Sequence, residues 1–236
     1  MNTILAQLDD RKRAAAEAAV AEISEGMLVG LGTGSTAAFA IEALARRVAQ
    51  GLNCRAVATS VQTARHATMV GIQLLKLEDS AEVDLCIDGV DEIDGELRAL
   101  KGAGGAMLRE KIVASAARRM VAIADASKAV ARLGARPVPV EVLPEGRAFV
   151  ARQLGLLDCT PVLRLGDQGK PVRTDQGNII FDCQFNRHGN LKRTAGLLSN
   201  IPGVLGHGLF LLEIDALYLG TADGVVRTER PVSPKL

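Results

Sequence analysis

A loop rich in glycine and hydroxyl side chains, GLGTGST at residues 30–36, is the first segment whose residue types suggest chemistry. It lies between an apolar run and a helical pattern, where free backbone N–H groups and the helix dipole make an anion site that suits phosphate. A dinucleotide fingerprint would need a third glycine where Ser35 stands, and a P-loop would need GK[ST]. The alternative is a tight, capped turn that binds nothing.

The segment DGVDEID at residues 88–94 is rich in carboxylate side chains and directly follows an apolar strand pattern. Open α/β sheets place their ligand crevice at the carboxyl ends of their strands, so acid–base chemistry or cation binding could follow. Asp88 and Asp91 come closest to the strand end. The spacing does not match an EF-hand, and a simple acidic hairpin loop is an equally good interpretation of this segment alone.

A second glycine-rich turn, KGAGGAMLREK at residues 101–111, runs into a helix and is the most informative stretch of the chain. Its glycines allow backbone N–H groups to approach a developing oxyanion, and Lys101 adds a positive charge. Glu110 lies early in the helix, facing a possible site. A lone glutamate between Arg109 and Lys111 would ordinarily be a solvated helix residue, but the glycines and the two other loops favour a general base.

Histidine and cysteine offer no competing chemistry in the sequence. His66, His188 and His207 share no metal-ligand spacing, and the four cysteines lie far apart without a CxxC motif. Neither a GxSxG elbow nor a plausible Cys–His pair is evident. We therefore expect no metal, no cofactor, and free thiols in a reducing cytosol.

The amino-acid composition argues against some classes of binding partner. Lys and Arg total 28 against 27 Asp and Glu, so no long-range field draws the protein to nucleic acid or to an anionic membrane. Aromatic residues make up 3% of the chain, which argues against base stacking. The sequence has neither a segment of membrane-spanning length nor a signal-peptide pattern. We expect a cytoplasmic protein that binds a small molecule.

Hydrophobic periodicity predicts the elements that would position the three loops. In the first half, helices are predicted at 3–24, 36–50 and 106–119, and strands at 27–30, 54–58, 83–87, 97–100 and 121–124. A hairpin turn is expected at Asp94–Gly95. Parallel strands need a crossover helix between them, so the strand–helix–strand order of this half predicts an open α/β sheet.

The order of elements changes after Gly134. Strand, helix, strand, strand, helix and strand are predicted at 138–142, 147–156, 162–165, 179–185, 191–200 and 204–210, which is the βαββαβ order of a ferredoxin-like unit. Two last strands at 217–220 and 225–228 could return to the first sheet. The chain has a suitable length for a TIM barrel, but adjacent strands in the second half do not fit eight strand–helix units.

The motifs GLGTGST, DGVDEID, KGAGGAMLREK and ADASK (residues 124–128), taken together and in this order, resemble those of ribose-5-phosphate isomerase of the A type. The likeness continues through PVPVEVLP, TDQGNIIFD, IPGV and GLF, and it covers almost the whole chain. Each motif alone is weak, whereas the ordered set is specific.

The resemblance implies the interconversion of ribose 5-phosphate and ribulose 5-phosphate in the pentose phosphate pathway, by a cytoplasmic homo-oligomer, usually a dimer. It also implies a Rossmann-like main domain with a mostly parallel sheet and a smaller ferredoxin-like α+β domain. We expect the main domain to comprise residues 1–133 and 208–236, and the smaller domain residues 134–207.

The same resemblance assigns roles to individual residues. Glu110 would be the proton acceptor, and Lys12 on the first helix matches a further basic residue near the phosphate. Residues expected to contact substrate are Thr33, Gly34, Ser35, Thr36, Asp88, Gly89, Val90, Asp91, Lys101, Gly102, Ala103, Gly104 and Lys128. The departures are mild: Ala103 stands where some members have glycine, and Asn190–Leu191 where many have Asp-Pro, although Asn can still cap a helix.

In the implied reaction, Glu110 moves a proton between C2 and C1 through an enediol. Asp88 or Asp91 would handle hydroxyl protons, while Lys101 and the glycine amides stabilise negative charge on oxygen. Two other classes of related fold are a sugar-phosphate sensor domain, which would need a helix-turn-helix ahead of the sheet, and an acyl-CoA transferase. The transferase would use Glu110 as a nucleophile and form a covalent thioester.

Overall fold

The computed structural model of the protein describes residues 2–185 and 190–231. Up to residue 125 its elements are α1 (Asn2–Val20), β1 (Leu28–Leu31), α2 (Ser35–Ala49), β2 (Arg55–Ala58), α3 (Val61–Met69), β3 (Val83–Gly89), β4 (Glu92–Ile93), β5 (Ala99–Leu100), α4 (Met107–Ala116) and β6 (Ala117–Asp125). The later elements are β7 (Val138–Val142), α5 (Arg147–Gly155), β8 (Cys159–Leu163), β9 (Ile179–Phe185), α6 (Leu191–Ser199), β10 (Val204–His207), β11 (Leu209–Phe210), β12 (Ala216–Thr221) and β13 (Gly224–Glu229).

A six-stranded sheet in the order β13-β12-β6-β3-β1-β2 forms the larger part of the fold. All its neighbouring strands are parallel except the hairpin pair β12 and β13. Successive side chains of a strand point to opposite faces, and here both faces are covered. Helices α1, α2 and α3 pack on one face and α4 on the other. This confirms the predicted open, Rossmann-like sheet, including the return of the last two strands.

The second sheet is small and antiparallel, in the order β10-β7-β9-β8. Its chain order, with α5 after β7 and α6 after β9, is βαββαβ and confirms the predicted ferredoxin-like unit. Valines of β7 pack against Val150 and Leu154 of α5 and Leu198 of α6 to form a separate core. The side chain of Asn190 caps α6 by accepting a hydrogen bond from Arg193 N at 3.1 Å. The predicted boundaries between two domains stay a prediction.

The predicted strand at 204–210 is wrong in one respect, because it is split between two sheets. Its first part, β10, belongs to the small sheet, and β11 pairs with β5 in a three-stranded sheet of β11, β5 and β4. The break falls at Gly208, where a β-carbon would stand 2.1 Å from the carbonyl oxygen of Lys101. Gly208 donates to Pro139 O at 2.8 Å and accepts from Lys101 N at 2.9 Å, so it joins the two sheets.

The helices differ from the prediction in two further places. The helix predicted at 106–119 ends at Ala116, because the next three residues extend β6 and pair with β3 from Val83 to Leu85. Pairing in a central strand overrides the helical propensity of this segment. Helix α3 was not predicted, although Ser60 caps it by accepting from Thr63 N at 3.0 Å. None of the helices within the described ranges has both the length and the apolar character needed to cross a membrane.

Helix α1 lies unusually close to β12, and this contact can be tested at Gly220. A β-carbon at this position would stand 2.1 Å from the carbonyl oxygen of Arg11. We expect Gly220→Ala to lower the free energy of unfolding by about 1–3 kcal/mol, as other overpacked substitutions do. In α6, Gly196→Ala is the control, because its β-carbon would meet nothing within 4 Å. Urea unfolding measures the free energy of unfolding of both variants. Equal values for Gly220→Ala and Gly196→Ala would contradict the close approach of α1 to β12.

Candidate active site

Three loops converge at the carboxyl ends of the neighbouring parallel strands β1 and β3 and at the start of α4. Together they enclose a pocket of about 120 Å³. The lining residues are Thr33, Gly34, Ser35, Thr36, Gly89, Val90, Asp91, Lys101, Gly102, Ala103, Gly104, Glu110 and Lys128. Asp88 lies behind this lining and is fully buried. The structure therefore brings the residues of the three predicted loops and Lys128 together, and their roles in binding stay predictions.

The first loop joins β1 to α2 and leaves a helix N-terminus open to the pocket. Gly34 is the N-cap of α2, has a φ of 104°, and provides no side-chain cap for the first N–H groups. Threonine hydroxyls stabilise the turn. Thr63 Oγ1 donates to Gly32 O at 2.8 Å, and the hydroxyls of Thr33 and Thr59 lie 2.8 Å apart. Uncapped N–H groups at a helix start bind anions readily.

Asp88 is the last residue but one of β3 and is held by backbone groups rather than exposed to a ligand. Its Oδ1 accepts from Thr33 N at 3.0 Å and from Gly89 N at 2.7 Å. A β-carbon at Gly32 would stand 2.0 Å from this oxygen, so only glycine fits beside it. Burial raises the pKa of Asp88, although the Lys101 ammonium and these N–H groups oppose the rise.

Lys101 is a buried cation at the centre of the site. Its Nζ donates to Gly89 O at 2.5 Å and forms ion pairs with Asp88 Oδ2 at 3.0 Å and Glu110 Oε2 at 3.3 Å. Burial alone would lower the pKa of Lys101, but the two carboxylates raise it overall. The ammonium therefore stays charged at neutral pH.

Glu110 lies in the first turn of α4 and is almost fully buried. Its Oε2 has no aligned hydrogen bond among the residues described. Burial, helped by the nearby charge of Asp88 and opposed by the Lys101 ammonium, raises the pKa of Glu110 to about 8. A carboxyl group that titrates near neutral pH can both accept and return a proton.

The remaining predicted residues hold or line the glycine-rich loop. Asp91 accepts from Ala103 N at 2.9 Å, and Gly102 has a φ of 102° that favours glycine. Lys128 ends a short 3-10 turn and lines the pocket. Lys12 is not among the lining residues, and its ammonium instead pairs with Asp9 at 3.0 Å.

Sequence analysis missed the hydroxyl network behind the first loop. Thr59 and Thr63 support that loop from the end of β2 and from α3. The polar pair Thr59–Ser60 directly after an apolar strand pattern was the available signal. Because α3 was not predicted, nothing placed Thr63 near the loop.

His66 and His207 are not among the residues that line the pocket. His207 is buried, its Nε2 lies 3.1 Å from Ser199 Oγ, and burial lowers its pKa to about 4. It borders a larger, open cavity of about 720 Å³ that contains none of the predicted site residues. His66 is half-buried on α3, and His188 lies outside the described residues. Within residues 2–185 and 190–231, no group of three His, Cys, Asp or Glu side chains is placed to hold a metal ion.

Comparison with known proteins identifies the family. Residues 55–224 match the family model of ribose 5-phosphate isomerase A (phosphoriboisomerase A). The chain belongs to this family. A relative from Sphingopyxis alaskensis, ribose-5-phosphate isomerase A, is 47% identical over 214 residues, which cover 91% of this chain and 93% of that protein.

Solved structures of ribose 5-phosphate isomerases match the fold over nearly the whole chain. The enzyme from Methanocaldococcus jannaschii has a TM-score of 0.89 at 38% identity, covering 93% of this chain and 98% of that one. A D-ribose-5-phosphate isomerase in complex with phospho-erythronic acid has a TM-score of 0.91 at 34% identity, covering 94% and 99%. The resemblance predicted from the ordered motifs is therefore confirmed.

The raised pKa of Glu110 predicts how stability depends on pH. Between its ordinary pKa of 4.5 and about 8, the folded state holds this proton while the unfolded state has lost it. Stability contributed by this group is therefore lost as the pH rises through that window. We expect Glu110→Gln to gain stability relative to the unmodified protein over the same window, by at most about 1.4 kcal/mol per pH unit.

Urea unfolding of both proteins at a series of pH values measures this difference. Glu145→Gln, at an exposed position, controls for the loss of one negative charge. A stability difference between the Glu110 variant and the unmodified protein that stays constant from pH 4.5 to 8 would show that Glu110 ionises as an ordinary glutamate.

Proposed function

We propose that the protein interconverts D-ribose 5-phosphate and D-ribulose 5-phosphate without a metal or a cofactor. The observation that carries the proposal is a buried glutamate, Glu110, in a pocket that also contains the uncapped N-terminus of α2. A sugar phosphate offers an anion for the helix terminus and a C–H proton for the carboxylate. Membership of the ribose 5-phosphate isomerase A family supports this assignment.

The phosphate group is assigned to the first loop. N–H groups at the start of α2, together with the hydroxyls of Ser35 and Thr36, provide donors for its oxygens, and the helix dipole favours its negative charge. Lys128 adds a cation to the same pocket. The ligand in one solved relative, phospho-erythronic acid, also carries a phosphate group.

Proton transfer is assigned to Glu110. After the sugar ring opens, the ionised carboxylate takes the C2 proton, the C–H electrons form a C1–C2 double bond, and the aldehyde oxygen at C1 gains a proton to give the enediol. Protonated Glu110 then returns its proton to C1, and the C2 hydroxyl loses its proton to become the ketone. Lys101 and the N–H groups of the glycine-rich loop stabilise negative charge on oxygen during both steps.

The two aspartates receive different roles in this proposal. Asp91 lines the pocket, so it is placed to exchange hydroxyl protons during ring opening and enediol formation. Asp88 is fully buried behind Lys101, and both of its oxygens already face donors. Its role is therefore to hold the Lys101 ammonium and to raise the pKa of Glu110 by its charge.

A cytoplasmic location and a homodimer are also part of the proposal, and both rest on the family resemblance. The near balance of basic and acidic residues, 28 against 27, is compatible with free diffusion of the protein. Sedimentation equilibrium of the purified chain, whose mass is 24.8 kDa, tests the dimer directly.

Glu110→Gln tests the assignment of the base. Glutamine keeps the size of the side chain but cannot accept a proton, so we expect kcat for ribose 5-phosphate to fall by about 10⁴-fold, the upper range for an acid–base group. Binding of the sugar phosphate should persist, because the phosphate donors lie on α2. Exchange of the C2 proton in heavy water, followed by NMR, reports the proton-transfer step alone.

Glu145→Gln is the matched control and should retain the activity of the unmodified protein, since Glu145 is exposed and lies in a short 3-10 turn between β7 and α5. Exchange at the normal rate in Glu110→Gln would assign the base to another residue. Failure of the unmodified protein to turn over ribose 5-phosphate would overturn the proposed function itself.

A further inference from the structure

Arg164 connects the small sheet to the glycine-rich loop of the pocket. It directly follows β8, and its guanidinium binds Asp182 of β9, with Nε 2.8 Å from Oδ2 and Nη2 2.5 Å from Oδ1. The remaining nitrogen, Nη1, reaches the loop before α4 and donates to the carbonyl oxygens of Gly102 and Ala103, each at 3.0 Å. A single side chain therefore fixes two successive peptide groups of the loop.

Fixing these carbonyl groups also fixes the N–H groups, because the two point in opposite directions in a trans peptide. The first peptide directs the Ala103 N–H to Asp91, at 2.9 Å. The second peptide has its carbonyl on Arg164, so the Gly104 N–H points away from the guanidinium. Gly104 lines the pocket, and residues 2–185 and 190–231 provide no acceptor for its N–H. The donor is left available to a ligand.

We propose that Arg164 is a positioning residue for the isomerisation. It aims the Gly104 N–H at the substrate oxygen that becomes negatively charged, and it keeps Asp91 in place through the Ala103 N–H. This inference rests on the proposed function and extends it to a residue of the small sheet that is not among the lining residues of the pocket. The small sheet thus takes part in the reaction through the loop.

The contact depends on the shape of arginine. A guanidinium presents five N–H donors in one plane, so it can bind a carboxylate with two nitrogens and still direct a third to other acceptors. Asp182 fixes the plane in this way, and the side chains are only 17% and 23% exposed, so water competes weakly for these bonds. A lysine at this position has no planar guanidinium, so it could bind at most some of these acceptors, which are the Asp182 carboxylate and the two loop carbonyls.

Arg164→Met removes the donors and keeps much of the apolar stem. We expect kcat to fall by about 10- to 100-fold, less than the loss of an oxyanion donor itself, because the Gly104 N–H remains but is no longer held in place. KM should change by less than about threefold, because the phosphate donors lie on α2. Arg173→Met is the matched control, since Arg173 lies in the same part of the chain and its side chain, among the residues described, donates only to Gly177 O, at 2.9 Å. Its kcat should be unchanged.

Arg164→Lys keeps the charge without the fork, and we expect an intermediate loss in kcat of about three- to tenfold. This variant also decides the matter if Arg164→Met does not fold. Circular dichroism and urea unfolding verify that each variant is folded before its kinetics are compared. A folded Arg164→Met with the kcat of the unmodified protein would overturn the positioning role. If only Arg164→Lys folds, an unchanged kcat in that variant would overturn it.

Amide hydrogen exchange tests the loop without a substrate. In Arg164→Met, the Ala103 amide should exchange at least about tenfold faster than in the unmodified protein or in Arg173→Met, because its bond to Asp91 is no longer supported. Unchanged exchange would overturn the positioning role even in an active isomerase. Faster exchange in a chain without isomerase activity would support the effect on the loop and overturn the proposed function instead.

Discussion

The site depends on a single buried ammonium that faces two buried carboxylates. Lys101 lies 3.0 Å from Asp88 and 3.3 Å from Glu110, and one positive charge cannot neutralise two negative charges. In a buried setting, the pair of carboxyl groups therefore retains a proton at a higher pH than either would in water. Because Glu110 lines the pocket and Asp88 does not, that proton is accessible from the side of Glu110.

The larger sheet makes this arrangement possible through close backbone contacts. Asp88 lies at the end of a central parallel strand, beside a glycine whose β-carbon would overlap its carboxylate. Lys101 is held by the carbonyl of Gly89 and, through its own backbone, by Gly208. Burying three charges is unfavourable unless each has partners, and these contacts provide them. Thr33, whose N–H binds Asp88, lies just before α2, and the same loop leaves the start of that helix without a side-chain cap.

The small sheet and the segment between its strands β8 and β9 also support the site. Arg164 holds the glycine-rich loop, and Asp175 accepts from Val61 N at 2.7 Å at the start of α3. Asp175 also lies 3.7 Å from Arg109, the neighbour of Glu110 on α4. The two sheets are therefore joined by hydrogen bonds and ion pairs beside the pocket. A change in their relative position would alter the loop and the helix that carries Glu110.

The full set of expected substrate contacts, Lys128 among them, came from the resemblance of the ordered motifs to a known family. Local sequence patterns determined much of the rest: the two larger sheets, most helices and the three loops. Hydrophobic periodicity and glycine positions record what a segment buries and where it turns, so these features need no knowledge of distant contacts. The tertiary structure alone decided the end of α4, the division at Gly208, the burial of Glu110 and its raised pKa, and the contact of Arg164 with a loop about sixty residues earlier in the chain. Each of these depends on which segments meet in space, and the residues that meet carry no local pattern that identifies their partners.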